Sequence, residues 1–478
     1  MLELERLYER IIQRTNINLR ELEFEIKPDE VQNLISLSQI IKFYAYYGIT
    51  TQHPIDFQFK NSNLSGSYFL GKCKVTNSLL YKSDIRGDEL KKKGDSFNYK
   101  NFTIPIKNNE SIDIQDSMLI KTLVHNFSHD PETPEQFLIK DTVSLHCANI
   151  HGSTSRGCYL EPFATVDLTA MRDCVIGAFS YIQTGEIDRM NIKPGTVWVR
   201  DPDNFNFLYR YPANKLVEYI NFQPDKLPTG KLIDFVVERK EDFQVVFETI
   251  NKAQTVSVPD SASLDRYAVT KSESRICENV MVSQRAYLQN AWLGKGANVQ
   301  ENCYIINSRL ERYNVTAHGA KIVEADLGEG VFVGFNSFLR GQPNEQSSSR
   351  LTIGKGSIIM PHTIIDISDQ LHIPDNSLVW GLIKNKKDLE TNSILITEVE
   401  KNVVGFSKGN LFFEGNGTAF IKAFKDRIQH ILEANGAFYD GKNNKGHAQK
   451  NQIMSFNTIQ PYSEGDYKGL YPTITIQP

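Results

Sequence analysis

Histidine and cysteine cluster once in this chain, in SLHCANIHGSTSRGC over residues 144–158. His146, Cys147, His151 and Cys158 offer imidazole and thiolate, the donors that hold zinc. Their spacing, His-Cys-x3-His-x6-Cys, fits no named zinc motif. Two readings stand: a zinc site built on His146, Cys147 and His151, or a packed Cys147 flanked by surface histidines. His125 and His129, in HNFSHD, can join such a site once the chain folds. His318, in NVTAHGA, stands apart from these. An imidazole titrates near neutral pH and serves as a general base; the competing reading is a corner residue hydrogen-bonded to backbone. Gln300, Asn336 and Trp380 are the candidate substrate contacts, and His362 reads as a surface corner residue. The sequence holds no Gly-rich phosphate loop ending in Lys-Ser/Thr, no Gly-x-Ser-x-Gly elbow and no His-Glu-x-x-His pair.

The elements that must position these residues are set by a repeat. Aliphatic residues recur every six positions: Ile276, Val282, Leu288; after a one-residue slip Leu293, Val299, Ile305; then Leu327, Val333, Leu339 and Ile353, Ile359, Ile365. Four positions after many of them stands a small or β-branched residue, such as Ala286, Ala297, Cys303, Ser337 or Thr363. Glycine follows several directly, at 294, 328, 334 and 354. A period of six is neither helical nor that of an alternating strand. It suits a chain that turns a corner every six residues, with the aliphatic pointing inward and the small residue where the backbone bends. The pattern recurs more weakly in the first half, at Leu160, Val166, Ile176 and Ile182, and Leu64 and Leu70 mark a possible earlier start.

This pattern resembles the hexapeptide-repeat superfamily, most strongly over 276–383, and implies a mainly β fold, a left-handed parallel β-helix. Two segments sharpen the resemblance. NVTAHGAKIVEADLGEGVFVGFNSF, residues 314–338, is similar to the metal-binding segment of γ-class carbonic anhydrases. His318-Gly319-Ala320 matches, but Val323 stands where a second histidine belongs and Ile306 where a third does; Gln300 matches a polar neighbour of the metal. A zinc site needs three protein ligands, so the match implies the fold and not that activity from this segment. Arg86-Gly87-Asp88 echoes a further motif of the same family, but it lies far ahead of the matching segment and is read as chance. LHIPDNSLVWGLIKNKKDL, residues 371–389, is similar to the terminal coil of hexapeptide acyltransferases, with Leu382-Ile383-Lys384 in place of Pro-Ala-Lys. In such enzymes a single histidine acts as general base on an acceptor hydroxyl or amine while an acyl thioester is attacked.

The rest of the chain reads as appended parts. Residues 1–55 are helical, with Asp29 capping a helix that carries Leu34, Leu37, Ile40, Ile41 and Tyr44 and Gly48 ending it. A first β-helix block spans 56–190, with 84–137 as polar loops, and an α/β subdomain is inserted at 191–265. A second block covers 266–390, and an extension over 391–478 holds a helix at 418–436 and a polar tail. Charge is balanced, with 53 Lys and Arg against 57 Asp and Glu, so nothing points to nucleic acid. Lys91-Lys92-Lys93 reads as a solvated loop, the six scattered cysteines as reduced thiols of a cytoplasmic protein. No apolar run is long enough to span a membrane, and the N-terminus lacks a signal peptide's apolar core. The resulting expectation is a cytoplasmic homo-oligomer, a trimer by analogy with relatives. It transfers an acyl group from acyl-CoA or acyl carrier protein to a small hydroxyl- or amine-bearing acceptor, with His318 as base. A metal-dependent lyase or hydrolase using the 146–158 cluster, and a non-catalytic β-helical scaffold, are the alternatives.

Overall fold

A computed structural model describes residues 2–50, 56–99, 102–128, 137–223, 226–249, 256–342, 351–459 and 474–476. The chain divides into two units: one formed by 1–196, 216–229 and 454–478, the other by 197–215 and 230–453. Each contains a β-helix of stacked parallel coils, as the repeat predicts.

In the second unit successive coils contribute short strands to three sheets, of eight, seven and six strands, paired in parallel from coil to coil. Asn298–Val299, Val315–Thr316 and Phe332–Val333 are successive rungs of the first sheet; Tyr304–Ile306, Lys321–Val323 and Phe338–Arg340 of the second; Trp292–Leu293, Arg309–Leu310 and Ala325–Leu327 of the third. The register pairs Ile305 with Ile322 and Ile322 with Leu339, so partners one coil apart are separated by 17 in sequence, as Ser308 and Ala325 are. The hexad aliphatics point inward and are all but fully buried, each contributing roughly 1.5–3 kcal/mol. One corner is left-handed at five successive levels, at Arg285, Asn302, Gly319, Asn336 and His362, with φ between 49° and 74°. Glycine takes that conformation freely and asparagine at some cost, whereas at Arg285 and His362 the coil imposes it. The helices Lys231–Val237 and Lys240–Glu248 lie on the outer face of the second sheet. Phe235 packs edge-on against Tyr304 and Phe338, and Phe243 against Tyr304. The helix Gly417–Ala434, capped by Asn416, stacks Phe420 on Phe207 and reaches Phe332 through Phe424.

The first unit repeats on a shorter period. Val143, Tyr159, Val175 and Asn191 are register partners, as are Ile150 and Val166, and the separation between partners falls to 16, as between Asn149 and Thr165. That is why the hexads there look weaker: a coil of 16 falls two residues short of three full hexads, where a coil of 17 falls one short. The helix Leu2–Leu19 buries Leu4, Leu7, Tyr8, Ile11 and Ile12 against the outward residues Met118, Val143 and Tyr159 of one sheet.

Several expectations change. The helix expected around Asp29 is two short ones, Pro28–Leu34 and Leu37–Ile40, because Ile35 is extended between them. The first is capped by Lys27 with Pro28 behind it, not by Asp29; Tyr44 lies beyond both, and Gly48 is inside the strand Ala45–Ile49. Residues 84–137, expected as loops, supply the coil strands Asp84–Glu89, Ile112–Gln115, Met118–Ile120 and Leu123–Phe127. The segment between Glu89 and Ile112 does leave the coil, carrying the hairpin Ser96–Tyr99/Phe102–Pro105. Residues 191–265, expected as an inserted subdomain, are distributed over both units. The tail, as far as it is described, is ordered: Asn279 donates to the carbonyls of Ala437 and Tyr439, and Ser455–Ile459 pairs antiparallel with Ala45–Ile49. No described helix is long and apolar enough to cross a membrane.

Candidate functional site

His318 directly precedes the left-handed corner of its coil. The residue at its place one coil earlier is Glu301, and one coil later Phe335; the backbone rungs Gly319 N to Glu301 O (2.9 Å) and Asn336 N to His318 O (3.0 Å) fix that register. The Glu301 carboxylate, fully buried, lies 2.6 Å from His318 Nδ1. Phe335 covers the ring from the other side, 5.2 Å between centroids, and the Arg427 guanidinium lies over Phe335. The two atoms approach closely without an aligned hydrogen bond between them; a carboxylate so placed favours the proton on Nδ1 and the lone pair on Nε2. Such a pair can act as a general base. His318 itself is only 1% exposed, so the imidazole is also held in place by packing.

The candidate contacts fare differently. Gln300 neighbours Glu301 on the chain and is 9% exposed. Asn336 folds its Oδ1 over Gly319, where a Cβ would meet it at 2.3 Å and displace it. Trp380 is corrected: it is 1% exposed and packs against Phe207, because its residue falls where the strand Phe205–Arg210 covers the coil. His362 is likewise no surface residue; it is fully buried, and its carbonyl accepts from the Tyr211 hydroxyl at 2.6 Å.

In the first unit the fold sorts the 144–158 cluster into unlike environments. His146 is desolvated enough that its pKa falls to about 3, with Lys121 adding to the effect; its Nδ1 has no hydrogen-bond partner among the described residues. Cys147 occupies a left-handed corner, and Cys158 is a core residue donating to the Arg156 carbonyl. Among the described residues neither His146 nor Cys147 belongs to a set of three potential ligands within reach of one another. The three-residue site expected of His146, Cys147 and His151 is therefore not assembled: burial takes the first and the corner the second.

His151 instead belongs to a polar column. Its register partners are His125 one coil before and Asp167 one coil after, and Arg86 precedes His125. The two imidazoles stand 5.0 Å apart, edge to face. His151 Nδ1 lies 2.8 Å from Asp167 Oδ1, and the Tyr181 hydroxyl donates to the other oxygen of Asp167. Glu89 lies 3.6 Å from His125 Nε2. Arg86 grips Asp88 with two hydrogen bonds of 2.9 and 2.6 Å, and both are buried. The Arg86-Gly87-Asp88 fragment thus lies in this column; the excursion after Glu89 hides from the sequence that Arg86 lies one coil from His125. Gly71 closes against Gly87, where a Cβ would meet its carbonyl carbon at 2.3 Å. His129 lies outside the described residues.

Sequence reasoning missed Glu301, Asp167, Tyr181 and Glu89. The first two carried a usable signal. Glu301 precedes His318 by 17 and Asp167 follows His151 by 16, the separations between successive coils of their units.

The family pattern described as "Hexapeptide repeat including loop" matches residues 102–224. A crystal structure named "putative acetyltransferase", from Desulfovibrio desulfuricans G20, is 49% identical over 100% of this chain and 99% of its own, with a TM-score of 0.90. A second protein of that name from Bacillus cereus matches at 12% identity over 36% of this chain and 87% of its own, TM-score 0.18. A UDP-N-acetylglucosamine acyltransferase from Campylobacter jejuni matches at 11% identity over 63% of this chain and 82% of its own, TM-score 0.19. At those scores the last two carry no argument. No curated relative matches the sequence.

Proposed function

The chain belongs to the hexapeptide-repeat family, and from that premise we propose that it is an acyltransferase in which His318, oriented by Glu301, is the general base. The observation that carries the proposal is the 2.6 Å contact between Glu301 and His318 Nδ1. The donor is an acyl thioester, acyl-CoA or acyl carrier protein, and the acceptor a small hydroxyl- or amine-bearing molecule. Nε2 takes the acceptor's proton as its oxygen or nitrogen attacks the thioester carbonyl. The tetrahedral adduct collapses by breaking the carbon–sulfur bond, and the imidazolium returns its proton to the departing thiolate. Glu301 stabilises the transient imidazolium and keeps Nε2 unprotonated at the start. Working as a homotrimer in the cytoplasm is part of the same proposal, supported by the family resemblance. The test is His318→Ala: acceptor-dependent thiol release should fall by roughly 10²–10⁴-fold, and retained turnover removes His318 from the reaction.

A second reading, metal-dependent hydrolysis or lyase chemistry, has one specific observation behind it. His125 and His151 hold one nitrogen each within 4.8 Å of the other, and Asp167 occupies His151 Nδ1 as carboxylates do behind metal-ligating histidines. Glu89 stands beside His125, but it does not complete a set of three donors within reach of one another with His125 and His151 among the described residues, so the reading rests on the histidine pair alone. Elemental analysis of protein purified without added metal separates the readings: stoichiometric metal lost on His125→Ala and His151→Ala favours this one.

A further inference from the structure

The third sheet of the second unit carries a groove that neither proposed chemistry uses. It is an open depression of about 730 Å³. It lies on the outer face of Arg275–Ile276, Trp292–Leu293 and Arg309–Leu310 and the corner that follows, whereas His318 sits at the corner after the first sheet. Its construction follows from the coil repeat. Arg275, Trp292 and Arg309 are register partners that stand side by side on the outer face. Parallel rungs are roughly 4.8 Å apart, so the Trp292 rung lies between two arginine rungs. Cys277 lines the groove one coil before Gly294 and Lys295.

The chemistry of the walls is uneven. Arg309 lies over the indole at 4.1 Å and is held by Glu311 at 2.9 Å. Lys295 pairs with Glu278 at 3.3 Å, and Arg312 with Glu329 at 3.1 Å. Arg275 is exposed and has no carboxylate partner among the described residues. The half-exposed indole therefore has one face taken by Arg309, and the rung on its other side carries Arg275, whose guanidinium no described carboxylate holds. A guanidinium is a planar fork that binds a carboxylate through two parallel hydrogen bonds. An indole face offers a flat apolar surface, and Glu278 and Glu329 at the rim are acceptors for hydroxyl groups.

We propose that this groove binds an acidic saccharide: the C–H face of a pyranose ring on Trp292, its carboxylate on Arg275, and its hydroxyls on the rim carboxylates. A nucleotide fits less well, because three of the surrounding cations already face carboxylates. The site is independent of acyl transfer at His318.

The test uses the full-length protein and trigalacturonate, with maltotriose as the uncharged counterpart. Tryptophan emission is followed during titration, and alkylation of Cys277 by a maleimide is read by peptide mass spectrometry. Expected are a saturable emission change with trigalacturonate and slowed alkylation of Cys277. Trp292→Phe should abolish the emission change, and Arg275→Ala should weaken binding by about tenfold or more. Both residues are on the outer face, so the variants should melt as the wild type does. The proposal is overturned if trigalacturonate gives no saturable change, if the change survives in Trp292→Phe, if Cys277 is not protected, or if maltotriose binds as tightly.

Discussion

At the scale of single residues, register decides which polar groups meet. His318 was identifiable as chemically interesting because it stands alone in a hexad segment, but its partner Glu301 is visible only once the coil length is known. Replacing Glu301 with glutamine keeps the shape and removes the charge that stabilises the imidazolium. Turnover should fall with little change in KM, by less than in His318→Ala; an unchanged kcat would mean that the contact only supports the corner. Burial makes a second prediction. The Glu161 carboxyl accepts from Ala178 N at 2.7 Å, and desolvation raises its pKa to about 7. Because the folded pKa lies above the unfolded one, the folded state keeps a proton that the unfolded chain has released. Stability from this group is present at acid pH and is lost as pH rises through about 7. Glu161→Gln should therefore stabilise the protein at pH 8, by up to about 3 kcal/mol, and much less at pH 5. Equal melting shifts at both pH values would contradict this. His146 acts in the opposite sense. Its depressed pKa, about 3, means stability falls as the pH drops below the usual histidine range.

At the scale of elements, the hexad was readable because its inward residues are aliphatic and its bends carry glycine. What it concealed was the coil length. The shorter coils of the first unit blur the period, and the excursion after Glu89 separates Arg86 from His125 along the chain although they are register partners. The apolar stripe of Gly417–Ala434 was legible for the ordinary reason, an uninterrupted helical period with Asn416 as cap. The helix around Asp29 was not, because the extended residue Ile35 leaves no trace in the spacing. Two glycines separate close packing from conformational freedom. A Cβ at Gly354 would meet Asp375 N at 2.4 Å, so Gly354→Ala must push adjacent coils apart. At Gly330 nothing lies within 4 Å, and only its φ of 67° opposes a side chain. Urea unfolding should show Gly354→Ala destabilised by about 1–3 kcal/mol and Gly330→Ala by roughly 1 kcal/mol. The reverse order would mean that the coils do not pack at the described spacing.

At the scale of the whole molecule, the family and the β-helices were legible from the repeat, whereas the chemistry was not. The local match around residues 314–338 drew attention to a coil whose second and third histidine positions are Val323 and Ile306. Meanwhile the adjacent histidine pair, His125 and His151, assembled elsewhere, from residues well separated in sequence. Light scattering should return three times the 54.4 kDa chain mass if the protein is a homotrimer; a monomer would remove that part of the proposal. The central claim is acyl transfer at His318. Its most direct measurement is release of free coenzyme A from acetyl-CoA across a panel of hydroxyl and amine acceptors, for the wild type and His318→Ala in parallel. Release by the wild type should depend on the acceptor and fall roughly 10²–10⁴-fold in the variant. Acceptor-dependent release that His318→Ala leaves intact would contradict it.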